Sequence, residues 1–360
     1  YEQAAADPDA DPATVLEDNY GSAVAGDEPG EDAEPHERLT FRNAINQAMD
    51  QALGRDDRVF ILGEDVADSA GGGVFHVTDG LSAKHGENRV RNTPISEEAI
   101  MGASVGAAIA GLRPLPEIMF MDFLGVAWDQ LANHAAKLRY MSGGRTPVPL
   151  TVRVNMVGGT PIGAQHSQSL EALLMHTPGL KVVFPSTPYD AKGLLLACIE
   201  DEDPCVFIES TALFMKRGMV PTEPYTIPIG RAAVRRSGDD ITIIGYGRLM
   251  DAAMKAADQL DGEGTSAEVI DLRSLAPLDM GTLLASVAKT TRAVVVHEAV
   301  RTCGAAAEIA TRLHEELHDQ LAGPVRRVTA PDSSVPAPAG LVGAFYPNVD
   351  AIVTACRTLK

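Results

Sequence analysis

Several things are scarce in this sequence of 360 residues, and each scarcity closes a class. Its four cysteines, at 198, 205, 303 and 356, form no CxxC and no zinc-finger spacing. That excludes the disulfide framework of small secreted domains and predicts reduced thiols in a cytoplasmic protein. No apolar run approaches the roughly 18–20 residues of a membrane span. The longest small-apolar stretch, around Met101–Leu112, is broken by glycines, and no signal peptide is visible. A membrane protein is therefore not expected. Positive charge is also short: 30 Lys and Arg against 49 Asp and Glu leave −19 at neutral pH. Such a chain would be repelled by a polyanion, which argues against nucleic acid as a partner.

Familiar catalytic signatures are missing as well. There is no GxxxxGK[ST], no HExxH and no well-placed GxGxxG. Gly158–Gly163 imitates a phosphate loop only weakly, because of its proline and spacing. Ser167 and Ser169 lack the nucleophile-elbow pattern of a serine hydrolase.

What is present is strongly organised. Residues 1–36 hold eleven acids and no Lys or Arg, leaving only −8 for the rest of the chain. This Ala-, Asp-, Gly- and Pro-rich opening offers little to bury, and a flexible acidic tail is expected. From Leu39 a helical period begins (Phe41, Ala44, Ile45, Ala48, Met49, Ala52), with Thr40 as its N-cap. A buried strand over 58–62 follows. Helices are predicted at 97–111, 125–141, 168–176 and 188–201, alternating with strands at 115–120, 148–154, 180–184 and 205–209. The Gly- and Pro-bearing stretch 216–228 reads as a linker. Beyond it come strands at 241–245, 267–271, 293–297 and 325–329, and helices at 249–260, 279–288, 303–318 and 348–357. The pattern predicts an α/β protein of two domains with largely parallel sheets, 37–215 and 229–360.

Ligands in such sheets bind outside the carboxyl ends of the strands. Two residues stand out there, each with two readings. Glu97, with Glu98, follows Ser96 at a helix start, where Ser96 suits an N-cap and the acids suit the helix dipole. Equally, a carboxylate held there can bond a heterocycle nitrogen. His166 lies in QHSQS (165–169) within a glycine-rich loop (Gly158, Gly159, Gly163). A lone histidine is often structural, yet polar neighbours at a strand end suit proton chemistry near neutrality. The helix after Glu97 carries Ala99, Gly102, Ala103, Gly106, Ala107 and Ala110, a smooth face for close packing.

Taken together, these segments resemble the beta subunits of the pyruvate, branched-chain 2-oxo acid and acetoin dehydrogenase complexes. The matching runs include Gly63-Glu-Asp-Val66, Gly72-Gly-Val-Phe75, NTPISE (92–97), GLRPLPE (111–117), DFLGVAWDQ (122–130), AAKLRYMSGG (135–144), QHSQS (165–169), PGLKVVFPSTPYDAKGLL (178–195) and DLRSLAPLD (271–279). They run in order over about 38–355, and only the acidic tail falls outside.

The resemblance implies a transketolase-like pyrimidine-binding domain followed by a transketolase C-terminal domain. It implies thiamine diphosphate as cofactor, with Glu97 bonding the aminopyrimidine nitrogen so that the imino tautomer can deprotonate the thiazolium carbon. Phe123 matches the aromatic packed on the pyrimidine, and His166 a histidine facing the reacting carbon. Glu64 and Asp129 match acids lining a channel between paired sites. A structural potassium ion is implied at Leu150, Cys198, Ile199, Asp201 and Asp203. The GDG motif with its following asparagine, which holds Mg²⁺ and diphosphate in the family, has no counterpart here. An alpha subunit is therefore expected to supply that half, in a heterotetramer of two alpha and two beta chains that is inactive without it. The implied activity is decarboxylation of a 2-oxo acid, pyruvate favoured, with reductive acylation of a lipoyl domain on an acyltransferase core. Acetoin cleavage, or half of a two-chain transketolase or carboligase, are the alternatives.

Overall fold

The computed structural model describes residues 11–160 and 162–359. In the first half, β1 (His36–Thr40) leads into α1 (Phe41–Arg55), capped by the Thr40 hydroxyl on the Asn43 amide. Strands β2 (Val59–Gly63), β3 (Val90–Asn92), β4 (Arg113–Ile118), β5 (Thr151–Met156), β6 (Lys181–Val183) and β7 (Cys205–Ser210) follow. Between them lie α2 (Glu97–Ile109), α3 (Glu171–Met175) and α4 (Pro188–Glu200). These strands pair in parallel, in the order β6-β7-β5-β4-β2-β3. Strands β4, β5 and β7 are buried at every position, as befits a sheet covered on both faces.

Strand β4 runs 113–118, two residues earlier than its apolar pattern suggests. Pro114 and Pro116 face β2 only, and pairing with β5 starts at Glu117. The prolines thus sit where the strand still has a free side, the place a missing N–H is tolerated.

The second half holds β9 (Ala233–Arg236), β10 (Ile241–Gly245), β11 (Ala267–Asp271), β13 (Ala293–Val300) and β14 (Arg326–Ala330), in the order β14-β13-β10-β11-β9. Only β9 is antiparallel. Helices α5 (Leu249–Asp261), α6 (Met280–Thr290), α7 (Ala305–Leu317) and α8 (Val349–Arg357) cover it. Strand β12 (Ser274–Ala276) leaves this unit and pairs antiparallel with β6, extending the first sheet to seven strands. One apolar core accordingly runs through both halves, from Met101 and Val154 to Ile244 and Leu283. The stretch Ala339–Arg357 is apolar enough in composition to span a membrane, but Tyr346–Asn348 breaks it into two short helices.

Two expectations are corrected. The stretch 216–228 is not a bare linker: it opens with β8 (Arg217–Pro221), antiparallel to β1. Nor is the acidic segment free over its described part; residues 1–10 lie outside the described residues. The Gly21 amide donates to the Asp203 carboxylate at 2.9 Å, and the Tyr189 hydroxyl bonds the Pro29 carbonyl. Glu28 and Glu31 pair with Arg273 (2.8 Å) and Arg235 (3.2 Å). Both arginines also hold buried Asp190 across the domain boundary, and Arg235 pairs with buried Asp271 of its own domain. The segment's carboxylates thus find partners that composition alone does not disclose.

Candidate active site

Strands β5, β4 and β2 are neighbours, so the segments leaving their carboxyl ends converge. Glu64 follows β2, the turn Met121–Phe123 follows β4, and the loop to His166 follows β5. Strand β3 adds the fourth piece, Thr93–Ser96, which delivers Glu97 to the first turn of α2. The Thr93 amide bonds the Gly63 carbonyl, and the Asn92 side chain takes the Ala67 amide at 2.7 Å. The β2 and β3 exits are thereby tied to each other.

Glu97 is 9% exposed, and no donor reaches its carboxylate among the described residues. The Ser96 hydroxyl makes no capping bond, so the N-cap reading of this segment is not realised. Glu64 lies close enough for burial, then the charges of Glu97, Asp65 and Glu117, to push its carboxyl above the usual range. Beneath them Glu117 on β4, Arg153 on β5 and Glu209 on β7 form a triad. Arg153 reaches Glu117 at 2.7 Å and Glu209 at 2.6 and 3.0 Å. Burial lifts Glu209 to about 7 against the pull of Arg153. The sequence reading missed this triad. Its signal is a charged residue at an interior position of each of three apolar strands, and buried charges must pair.

An aromatic wall stands beside the acids. Phe75 meets Phe120 at 5.9 Å between centroids, and Phe120 meets Phe123 at 5.4 Å. The His166 ring packs edge-on against both, at 5.0 Å from Phe120 and 5.3 Å from Phe123. The loop carrying Phe75 joins wall to acids: a Cβ on Gly73 would stand 3.7 Å from Glu117 Oε1. Gly72 (φ +69°) could not carry a side chain, since its Cβ would lie 2.2 Å from Asp79 Oδ1. Phe75 and Phe120 were not singled out from sequence. Asp122 accepts from the Gln168 amide at 3.2 Å and side chain at 2.8 Å, fixing the His166 loop to the turn that bears Phe123.

Asp129 stands apart. It is exposed at the start of a π-helical stretch, Asp129–Ala135, and its partners are Asn133 (3.1 Å) and His134 (3.4 Å). Among the described residues no hydrogen bond or ion pair joins it to Glu64.

Leu150, Cys198, Ile199, Asp201 and Asp203 do come together, but as an ion-pair knot. Arg113 Nη1 donates to the Ile199 and Asp201 carbonyls, each at 2.9 Å. Lys181 Nζ lies 2.8 Å from Asp201 and 2.9 Å from Asp203, and Arg139 lies 2.6 Å from Asp203. The Leu150 carbonyl takes the Cys205 amide. These oxygens are held by the chain's own cations and amides. As they stand they do not fit a potassium ion, which would have to displace Arg113 or Lys181. Among the described residues no group of three or more His, Cys, Asp or Glu could hold a metal.

A buried carboxylate with no donor among the described residues, and an aromatic wall at the neighbouring strand ends, fit a flat heterocycle with a protonatable nitrogen. Comparison with known proteins agrees. Residues 37–216 match the transketolase pyrimidine-binding domain family, and residues 230–352 the transketolase C-terminal domain family. The chain is 45% identical over 326 residues to the beta subunit of acetoin:2,6-dichlorophenolindophenol oxidoreductase of Bacillus subtilis (88% of this chain, 95% of the relative). It is 45% identical over 325 residues to the pyruvate dehydrogenase E1 beta subunit of the same organism (90% and 99%). The 2-oxoisovalerate dehydrogenase beta subunit matches at 42% over 323 residues (89% and 98%). Among solved structures, a split-gene transketolase described as an inactive beta4 tetramer superposes with a TM-score of 0.71. It is 23% identical, covering 89% of this chain and 98% of that one, and shows the shared fold.

Proposed function

Because the chain belongs to the beta-subunit family of the thiamine-diphosphate-dependent pyruvate, acetoin and branched-chain 2-oxo acid dehydrogenases, we propose that it supplies the pyrimidine half of an active site completed by an alpha subunit, acting on pyruvate. The observation that carries this reading is Glu97: a buried carboxylate with no donor among the described residues, in an electronegative cluster, at the meeting point of four strand ends.

Thiamine diphosphate, when bound, supplies a nucleophilic carbon that takes up the acyl fragment of the substrate. Glu97 holds the pyrimidine nitrogen and shares its proton, with Glu64 close beside it. Phe123 and Phe120 offer flat apolar surface that excludes water from the ring. His166, between those rings and with its own ring free of hydrogen bonds among the described residues, is placed to give or take a proton at the substrate. Two acids thus handle the cofactor side and one imidazole the substrate side. Pyruvate would lose its carboxylate as CO₂, and the remaining two-carbon fragment would be oxidised to an acyl group by the disulfide of a lipoyl group on an acyltransferase core, one sulfur taking the acyl group and the other leaving as a thiol; the alpha chain would hold Mg²⁺ and the diphosphate. Acetoin is the second reading, favoured by the 45% identity to the acetoin oxidoreductase subunit; both substrates deliver a two-carbon fragment.

The test is to purify the chain alone and with its alpha subunit and assay pyruvate, branched 2-oxo acids and acetoin with a dye acceptor. Turnover is expected only in the assembled complex, highest with pyruvate. Robust turnover by the isolated chain overturns the shared-site reading.

A further inference from the structure

The loop from β5 to α3 carries His166, yet among the described residues only two ring edges hold the imidazole. The loop contains Gly158, Gly159 and Gly163, so its backbone is intrinsically free to wander. A cavity of about 490 Å³ lies behind it, lined in part by Ala164, Gln168, Glu298 and Tyr346, and offers room for the loop to retreat.

Against this stands a grip from the other domain. Tyr346, buried where Tyr346–Asn348 separates two helices, donates its hydroxyl hydrogen to the carbonyl of Ser167 at 3.4 Å. The Gly159 end of the loop lies against the Arg248 guanidinium that stacks on the Tyr346 ring, so one cluster meets both ends of the loop. Arg248 lies 4.6 Å above the Tyr346 ring and pairs with buried Glu298. The loop backbone presses directly on that pair. A Cβ on Gly158 would stand 2.2 Å from Glu298 Oε2, and one on Gly159 3.5 Å from the Arg248 guanidinium.

We propose that Tyr346, backed by Arg248 and Glu298, is a positioning residue of the C-terminal domain that clamps both ends of the 158–167 loop and so sets the orientation of His166. The proposal rests on the reading of His166 given above. It assigns the second domain a part in the reaction: it fixes, from behind, the loop that faces the substrate. Tyr346 touches no reacting atom and acts only through the loop.

The test uses the full chain assembled with its alpha subunit. Tyr346→Phe keeps the ring and its contact with Arg248 and removes only the hydroxyl. Loss of one neutral hydrogen bond predicts a fall in kcat of about fivefold with KM little changed. In a double-mutant cycle with His166→Ala, the Tyr346→Phe effect should vanish, since there is no imidazole left to misplace. A general structural defect would persist in both backgrounds, and that result overturns the proposal. Amide hydrogen exchange of residues 157–169 gives a second readout and should accelerate in Tyr346→Phe while the β10–β11 pair stays protected. Unchanged exchange overturns the clamp. If exchange accelerates but His166→Ala leaves turnover untouched, the clamp stands and the role given to His166 falls.

Discussion

Two acid-rich regions of the first domain make an instructive pair. At the strand ends, Glu64 and Glu97 lie close together with no cation matched to either among the described residues. Between β6 and β7, Asp201 and Asp203 are more deeply buried still, yet Lys181, Arg139 and Arg113 saturate them and their backbone. The triad Glu117–Arg153–Glu209 stands between these extremes, with two carboxylates sharing one guanidinium. Matched charge holds the fold in register. Unmatched charge, costly to bury, marks where a ligand is expected to complete the pairing.

Breaking the matched regions should damage stability. Arg153→Met strands two buried carboxylates and should cost about 3–5 kcal/mol in denaturant unfolding. Lys181→Met leaves Asp203 with Arg139 and should cost less, about 2–3 kcal/mol. A third variant probes the domain boundary. Tyr246 donates to Glu171 at 2.8 Å, and burial pushes Glu171 to about 7. Between about pH 4.5 and 7 the folded chain therefore keeps a proton that the unfolded chain has released, so this group makes stability fall as pH rises through that window. Glu171→Gln should flatten that slope in thermal melts at stepped pH; an unchanged slope contradicts the assignment. The smallest effect belongs to the acidic segment. Glu28→Ala removes a partly exposed pair with Arg273 and should cost under about 1 kcal/mol. A larger loss would make the segment a true brace between domains.

Much of this was legible in the sequence, for physical reasons. The alternation of α1, β2 and the later elements follows from apolar periods long enough to set secondary structure locally, and the Thr40 cap from its position before that period. Glu97 and His166 were locatable because parallel sheets place their sites at strand ends. The β1–β8 pair was hidden, since its two strands are short, partly exposed and joined by pairing across most of the domain. Strand β12 was hidden because three residues, Ser-Leu-Ala, carry no period of their own and pair with the other domain's sheet. Phe120 and Phe75 lay within recognised segments, but only the folded chain brings them to His166. The grouping of Asp201 and Asp203 was foreseeable; that Lys181 and Arg113 occupy their oxygens was not, because those partners come from other strands.

The carboxylate of Glu97 is left unmatched for catalysis. Turnover of the assembled complex carrying Glu97→Gln tests it most directly, because the amide preserves shape while removing the acid–base function. The assembly should stay intact with turnover lowered by about 10²–10⁴-fold; turnover within twofold of the parent would mean that Glu97 has no acid–base part.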